Sequence, residues 1–420
     1  MSINQHQNLK QNSSLALRVF IIFSLGYFVS YLARGINLPL SPLLSSEIGL
    51  SPSQLGLLTS IYFFSFAACQ LPLGILLDRF GARKVLAAMM LLAAAGAIVS
   101  ANAHSFGALV VGRLLLGVGT SACMMAGLKA VVTWFHHDQL PLMSGALYAI
   151  GGLGAVVTGT PIAWALGFTS WRVLFVLLAI IIAAIVFALY FWVPEKRERH
   201  PKTTLTSQLQ GVGQVFSSPI FWRTAPLVMV TQGVFLGVQG LWAGPYLRDV
   251  AHMSAASVAN TVAIIGVAMV VGAAGFGWLA RGLQAKGISI HTTAGVGIMA
   301  FIITQLLIVF AVPLPAWLLW SLYGIFGTAS ILPYASLSKE FPAELGGRVS
   351  TGLTLTIFIG AFIVQYGFGL LLDASPHEGN HYAESAHRMS WLIALAVQIC
   401  AYAWYCKPAM RRVAVPTVPA

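Results

Sequence analysis

From Val173 to Val193 the chain runs for 21 residues, VLFVLLAIIIAAIVFALYFWV, without one charged side chain. A helix of about 20 such residues crosses the hydrocarbon core of a bilayer, and only a helix or a closed barrel can satisfy its backbone there. The pattern is not local. Hydrophobic residues make up 58% of the chain and charged residues 8%, against roughly 25% charged in soluble domains, so lipid is the solvent. Apolar runs near 16–41, 55–77, 83–102, 106–134, 141–166, 171–193, 223–248, 256–280, 291–312, 315–338, 348–373 and 389–406 predict twelve transmembrane helices. The predicted class is an all-α membrane protein.

The net charge of +12 would suit a nucleic-acid partner in a soluble chain, but in a membrane chain it reflects cationic loops on the cytoplasmic side. A cytoplasmic N-terminus puts Arg79, Arg83, Lys84, Lys196, Arg197, Arg199, Lys202, Arg281, Lys286, Lys339, Arg348, Lys407, Arg411 and Arg412 inside. Little beyond Arg172, Arg248 and Arg388 falls on the other face. The expectation is a multi-pass inner-membrane protein, both termini cytoplasmic, with no nucleic-acid partner. The polar start MSINQHQNLKQNSS is followed by a run too long for a signal peptide and is expected to stay. Cys69, Cys123, Cys400 and Cys406 lie in apolar stretches without metal-ligand spacing, so no disulfide framework, metal or cofactor is expected.

The polar stretch VPEKRERHPKTTLTSQLQGVGQVFSSP, Val193 to Pro219, sits at the midpoint and separates six runs from six. GILLDRFGARK, from Gly74, has a weak echo in FGWLARGLQAKG, with Arg79 and Arg281 202 positions apart; WFHHDQLPLMSG and FPAELGGRVSTG begin 207 apart. A repeat of about 205 residues implies two homologous six-helix bundles with a midplane site between them. Residues 1–193 are assigned to the first bundle, 194–221 to a cytoplasmic linker and 222–420 to the second.

GILLDRFGARK resembles the G-x-x-x-D-R-x-G-x-[RK]-[RK] loop of the major facilitator superfamily, carried here by Gly74, Asp78, Arg79, Gly81, Arg83 and Lys84. VGRLLLGVGTSA resembles that family's R-x-x-x-G-x-G pattern, with Arg113, Gly117 and Gly119. GGLGAVVTGTP only partly resembles the antiporter-associated G-x-x-x-G-P pattern, because Thr160 separates Gly159 from Pro161, and Ala280 stands where the second half would repeat Asp78. The segment Gly26 to Gly56 looks like the first span of organic-phosphate antiporters and nitrate-porter-like chains. Arg34 falls at the antiporters' anion-binding arginine, while their second arginine would fall near Leu236 and is missing. The resemblance implies a monomeric twelve-span carrier working by alternating access, with the Gly74–Lys84 loop as gating latch.

A charge at the centre of a span costs at least ~2.5 kcal/mol to insert, so Arg34 needs a reason to be there. Tyr27 and Tyr31 precede it by seven and three positions on one helical face, with Asn37 one turn further. Arg34 either pairs an anionic substrate across a cavity lined by those tyrosines, or is satisfied by backbone carbonyls of neighbouring helices. Arg113 bears the same penalty with a structural or gating role as the broader reading, and Lys129 either snorkels or meets an anion from inside.

All eleven acidic residues fall at span edges or in loops. Buried cations without buried acids favour an anionic substrate as the missing counter-charge. Facing Arg34 across the bundle, Gln232, Gln239, Trp242 and Tyr246 share a helical face, with Thr351, Thr354, Phe358 and Gln365, and Tyr323, Ser330 and Tyr334, on two further spans; each stripe is either cavity lining or interhelical glue. Asp249, Glu47 and His104 are outer-edge candidates for a coupling proton, which a carboxylate substrate could also share. Lacking G-x-S-x-G, H-E-x-x-H and a Walker loop, the chain carries no enzymatic signature. The leading expectation is proton-coupled uptake of a small organic anion, a carboxylate or amino-acid-like metabolite. The alternatives are a proton-driven exporter of metabolites or drugs and a non-transporting membrane sensor or scaffold.

Overall fold

The computed structural model of the chain describes residues 3–136, 139–194, 205–338, 340–342, 345–378 and 381–407. Residues 195–204 of the linker, and with them Lys196, Arg197, Arg199 and Lys202, lie outside the described residues, as do Lys339, Arg411 and Arg412. Eleven described helical stretches are long and apolar enough to cross a membrane. They are span 1 (Ser14–Ile48), 2 (Pro52–Phe80), 3 (Ala82–Ala101), 4 (Phe106–Trp134), 5 (Leu142–Ala165), 6 (Trp171–Trp192), 7 (Pro219–Asp249), 8 (Ala255–Ala285), 9 (Ile290–Val309), 10 (Ala316–Ser338) and 11 (Gly346–Asp373). Helix Glu384–Tyr405 completes the set as span 12. Several helices outrun the apolar runs because their first turns are polar caps. Span 2, for instance, starts at Pro52 because the Ser51 side chain accepts from the Gln54 amide while the Gln54 side chain accepts from the Ser51 amide.

The packing repeats with a shift of six. Span 3 packs on 4 and 6, 1 on 5 and 6, and 2 on 4; likewise 9 packs on 10 and 12, 7 on 11 and 12, and 8 on 10. Two six-helix bundles result, meeting chiefly through spans 2 and 11 and spans 5 and 8. The linker's described helix, Leu205–Phe216, puts Val215 and Phe216 against Phe221, Val349 and Leu353 at the start of the second bundle. A short hairpin joins spans 11 and 12, pairing His377 with Tyr382 and Glu378 with His381.

The helix breaks repeat too. Span 1 is interrupted at Ile36, between Gly35 and Asn37, where Pro39 and Pro42 withhold backbone donors. About 205 positions on, span 7 widens into a π-helical turn at Val238–Trp242. Span 4 breaks at Ser121, whose hydroxyl donates to the Val118 carbonyl, and span 10 tightens at Thr328–Ile331, where the Thr328 hydroxyl donates to Ile325. In each case a hydroxyl competes with the backbone ladder.

Span 4 needs glycine for its close contact with span 3. A Cβ added at Gly119 would strike the Ala93 backbone nitrogen and come within 2.6 Å of the Met89 carbonyl. Gly119→Val is expected to destabilise by roughly 3 kcal/mol, seen as loss of monodisperse protein on size exclusion. A variant as stable as the wild type would contradict this packing.

Candidate functional site

Arg34 occupies the last turn before the break in span 1, half-buried at the junction of the bundles. Its guanidinium carbon lies 4.6 Å from the ring centre of Tyr31, 5.6 Å from Phe66 on span 2 and 5.1 Å from Phe358 on span 11. Three aromatic faces from two bundles therefore surround one cation, each contributing cation–π attraction but no charge. Phe358 in turn packs on Phe66 at 4.2 Å and on Phe63 at 5.8 Å. Nε of Arg34 is buried without a hydrogen-bond partner, and among the described residues no ion pair involves this side chain.

Arg113 is handled differently. It is 1% exposed and donates to the carbonyls of Ala33 (2.7 Å) and Arg34 (3.4 Å), with Tyr62 under its guanidinium at 5.2 Å. Those carbonyls belong to the turn that the break leaves short of helical donors, so Arg113 braces span 1 just where Arg34 projects. Tyr62 itself donates to Ser30 O and shares a 2.7 Å bond with Thr120.

A cavity of about 30 Å³ lies beside Arg34, walled by Tyr31, Arg34 and Thr158 from the first bundle and Leu236, Gln239 and Gly240 from the second. It has room for a water or two. Thr158 and Val262 divide it from an apolar pocket of about 190 Å³. Tyr27 backs the site: its hydroxyl is 3.5 Å from that of Tyr31 and its ring 6.1 Å from Tyr148. Asn37 is buried and donates to Thr59 at 3.2 Å, tying span 1 to span 2.

The polar stripe of span 7 divides, because the π-helical turn rotates everything beyond it. Only Gln239 faces the Arg34 cavity. Gln232 donates to Ser330 (2.7 Å), Trp242 to the Gln365 carbonyl (2.8 Å) and Tyr246 to the Ile308 carbonyl (2.6 Å). Gln365 donates to the Gly237 carbonyl at the mouth of that turn, while its own Oε1 is buried without a partner. Tyr334 and Thr354 share a 3.1 Å hydroxyl pair. The residues beyond the sequence reading are Tyr62, Phe63, Phe66 and Tyr148, aromatics that in an apolar helix carry no signal separating site from core.

The two ends of the interface differ. At the end bearing Ser51, the bundles are sealed: Ser51 donates to Asp373 (3.2 Å), Thr160 to Asn260 (2.9 Å), and Gly56 and Gly369 back onto each other. At the opposite, basic end, a Cβ added at Gly74, Gly81, Gly346 or Gly347 would meet nothing within 4 Å. There Asp78 pairs with Lys129 at 2.8 Å, Lys129 also caps the Leu77 carbonyl, Arg83 donates to Tyr190 O and Arg79 lies over Phe80. These contacts all stay within spans 1–6. Lys84 is exposed beside them, and Gly81, at φ +81°, makes the turn into span 3.

The family model described as Major Facilitator Superfamily matches residues 23–365. The chain is 25% identical over 279 residues to a probable sulfoacetate transporter, SauU, of Cupriavidus necator, covering 63% of this chain and 64% of that one. It is 25% identical over 276 residues to a probable L-galactonate transporter of Escherichia coli K12, 60% of each. The chain thus spans less than two thirds of the length of these relatives. Among solved structures, a bacterial homologue of the human lysosomal transporter Spinster, in an inward-facing and unoccupied conformation, superposes with a TM-score of 0.71 over 94% of this chain and 96% of that one, at 17% identity. That likeness shows the fold alone.

Proposed function

Because this chain belongs to the Major Facilitator Superfamily, we propose that it is a secondary carrier, not an enzyme, and that it takes up a small organic anion, with Arg34 as the anion's counter-charge. The observation that carries this reading is a guanidinium between aromatic faces of both bundles, with no acid paired to it among the described residues. A carboxylate or sulfonate supplies the missing charge and two acceptor oxygens for the planar fork of an arginine. The relatives named for sulfoacetate and L-galactonate support a carboxylate-bearing substrate.

Placing the end with Arg79, Arg83, Lys84, Arg281 and Lys286 in the cytoplasm follows the positive-inside rule, and both termini are then cytoplasmic. The sealed Ser51 end then faces outward and the open latch end inward. Rocking the two bundles about Arg34 closes the latch end while the Ser51 end parts, the motion that admits the anion from outside. The cleft is formed by one polypeptide, so a monomer suffices. An inward proton gradient drives uptake in this reading.

Purified protein should be stabilised thermally by sulfoacetate or L-galactonate and should exchange the same anion in proteoliposome counterflow. Galactitol, which replaces the carboxylate with a hydroxymethyl group, should do neither. Stabilisation and counterflow by galactitol equal to L-galactonate would remove the anion from the proposal.

A further inference from the structure

Away from Arg34, the Ser51 end holds a carboxylate set between two histidines of opposite exposure. Asp249, the last residue of span 7, has a side chain only 2% exposed. Its Oδ1 lies 3.0 Å from Nδ1 of His381, a hairpin residue 71% exposed, and its Oδ2 lies 3.3 Å from Nε2 of His387, 1% exposed on span 12. The Tyr382 amide also donates to Oδ2, and Arg248 donates to both oxygens at 2.8 and 3.0 Å. The far nitrogen of His387, Nδ1, is buried without a hydrogen-bond partner. An exposed imidazole, a buried carboxylate and a buried imidazole with a vacant nitrogen thus form one chain from the surface inward.

We propose that His381, Asp249 and His387 are a proton-exchange relay at the outer end, the entry site for the coupling proton. The inference rests on the proton coupling and orientation of the carrier reading above. A hydronium proton taken up at Nε2 of His381 releases the proton on Nδ1 to Oδ1 of Asp249, giving a neutral acid and a neutral imidazole. Turning that carboxyl about Cβ–Cγ presents the proton to Nε2 of His387 in its Nδ1–H tautomer, where Nε2 is bare, and the ring becomes the cation as Asp249 returns to the anion. Histidine is the side chain whose ordinary titration spans pH 5 to 8, and a carboxylate between two imidazoles is a transfer group rather than a store. Arg248, by donating to both oxygens, favours the ionised carboxylate, so the neutral acid is a short-lived intermediate between the two imidazoles.

The other charges facing the relay do not compete for the proton. From span 7, Tyr246 packs edge-to-face on His387 with ring centres 5.8 Å apart but spends its hydroxyl on the Ile308 carbonyl. From the hairpin, burial pushes the Tyr382 phenol up to about 12. From span 12, Glu384 and Arg388 pair with each other at 2.9 Å. From span 11, Asp373 accepts from Ser51 at 3.2 Å. The Tyr382 ring packs on Trp242, whose indole borders Gly56 of the opposite bundle, so the relay adjoins the outer seal.

The test uses protein labelled with ¹⁵N-histidine in lipid nanodiscs without substrate, the His387 signal being assigned by its loss in His387→Gln. The expected result is a His387 ring that changes protonation between pH 5 and 8, with proton exchange slowed at least tenfold in His381→Asn and in Asp249→Asn. Arg34→Gln should leave the titration as in wild type, so a failure of the anion site and a failure of the relay are read separately. A His387 ring that stays in one protonation state over that range, or exchange at wild-type rate in both relay variants, overturns the proposal in favour of a purely structural clamp.

Discussion

Arg34→Gln or Arg34→Ala is expected to lower counterflow of L-galactonate or sulfoacetate by a hundredfold or more while the protein keeps its wild-type elution profile. The magnitude follows from removing one partner of a desolvated, hydrogen-bonded charge pair, about 3 kcal/mol, at about 1.4 kcal/mol per tenfold. Folding should survive because, among the described residues, Nε of Arg34 has no hydrogen-bond partner and no acid pairs with the side chain. Arg34→Lys keeps the charge but not the planar fork, and should fall between the two by roughly tenfold on either side. Arg113→Met offers the contrast: it removes the donor to Ala33 and Arg34 carbonyls, so its loss of activity should come with loss of melting temperature. Wild-type counterflow in Arg34→Gln would show that the guanidinium is not the anion's partner.

Gly369→Val is expected to lower transport by a different route, holding the Ser51 end open. A Cβ at Gly369 would lie 2.7 Å from the Pro52 carbonyl, and one at Gly56 3.1 Å from the Gln365 carbonyl. Backbone cannot yield as a flexible side chain does, so the larger residue fits only when spans 2 and 11 separate. Uptake should fall at least tenfold with anion binding retained, and Ser53→Cys on that background should react several-fold faster with an impermeant maleimide applied from outside. Unchanged uptake and unchanged labelling would mean that this contact does not close the pathway.

The apolar runs, the repeat and the two intramembrane arginines, Arg34 and Arg113, were legible because insertion energetics leaves them few alternatives. The recurrence of helix breaks at Ile36 and Val238–Trp242, and at Ser121 and Thr328–Ile331, is that repeat expressed in the backbone. The course of span 7 was not legible. An ideal helix puts Gln232, Gln239, Trp242 and Tyr246 on one face, but a single π-helical turn sends Trp242 to Gln365 and Tyr246 to Ile308. Hydropathy could not separate Phe66, which meets Arg34, from the many phenylalanines that fill the core, because both sit in apolar helices. Asp249 was visible as an edge acid, whereas its link to His387 joins residues 138 apart across two spans and has no local signal.

The most direct test of the central claim is equilibrium titration of wild-type and Arg34→Gln protein with L-galactonate, sulfoacetate and galactitol under identical conditions. At least one of the two anions is expected to bind the wild type and galactitol is not, and the same anion's affinity is expected to drop a hundredfold or more without the guanidinium. Equal binding by both proteins, or binding of galactitol as tight as that of the anions, would contradict the claim.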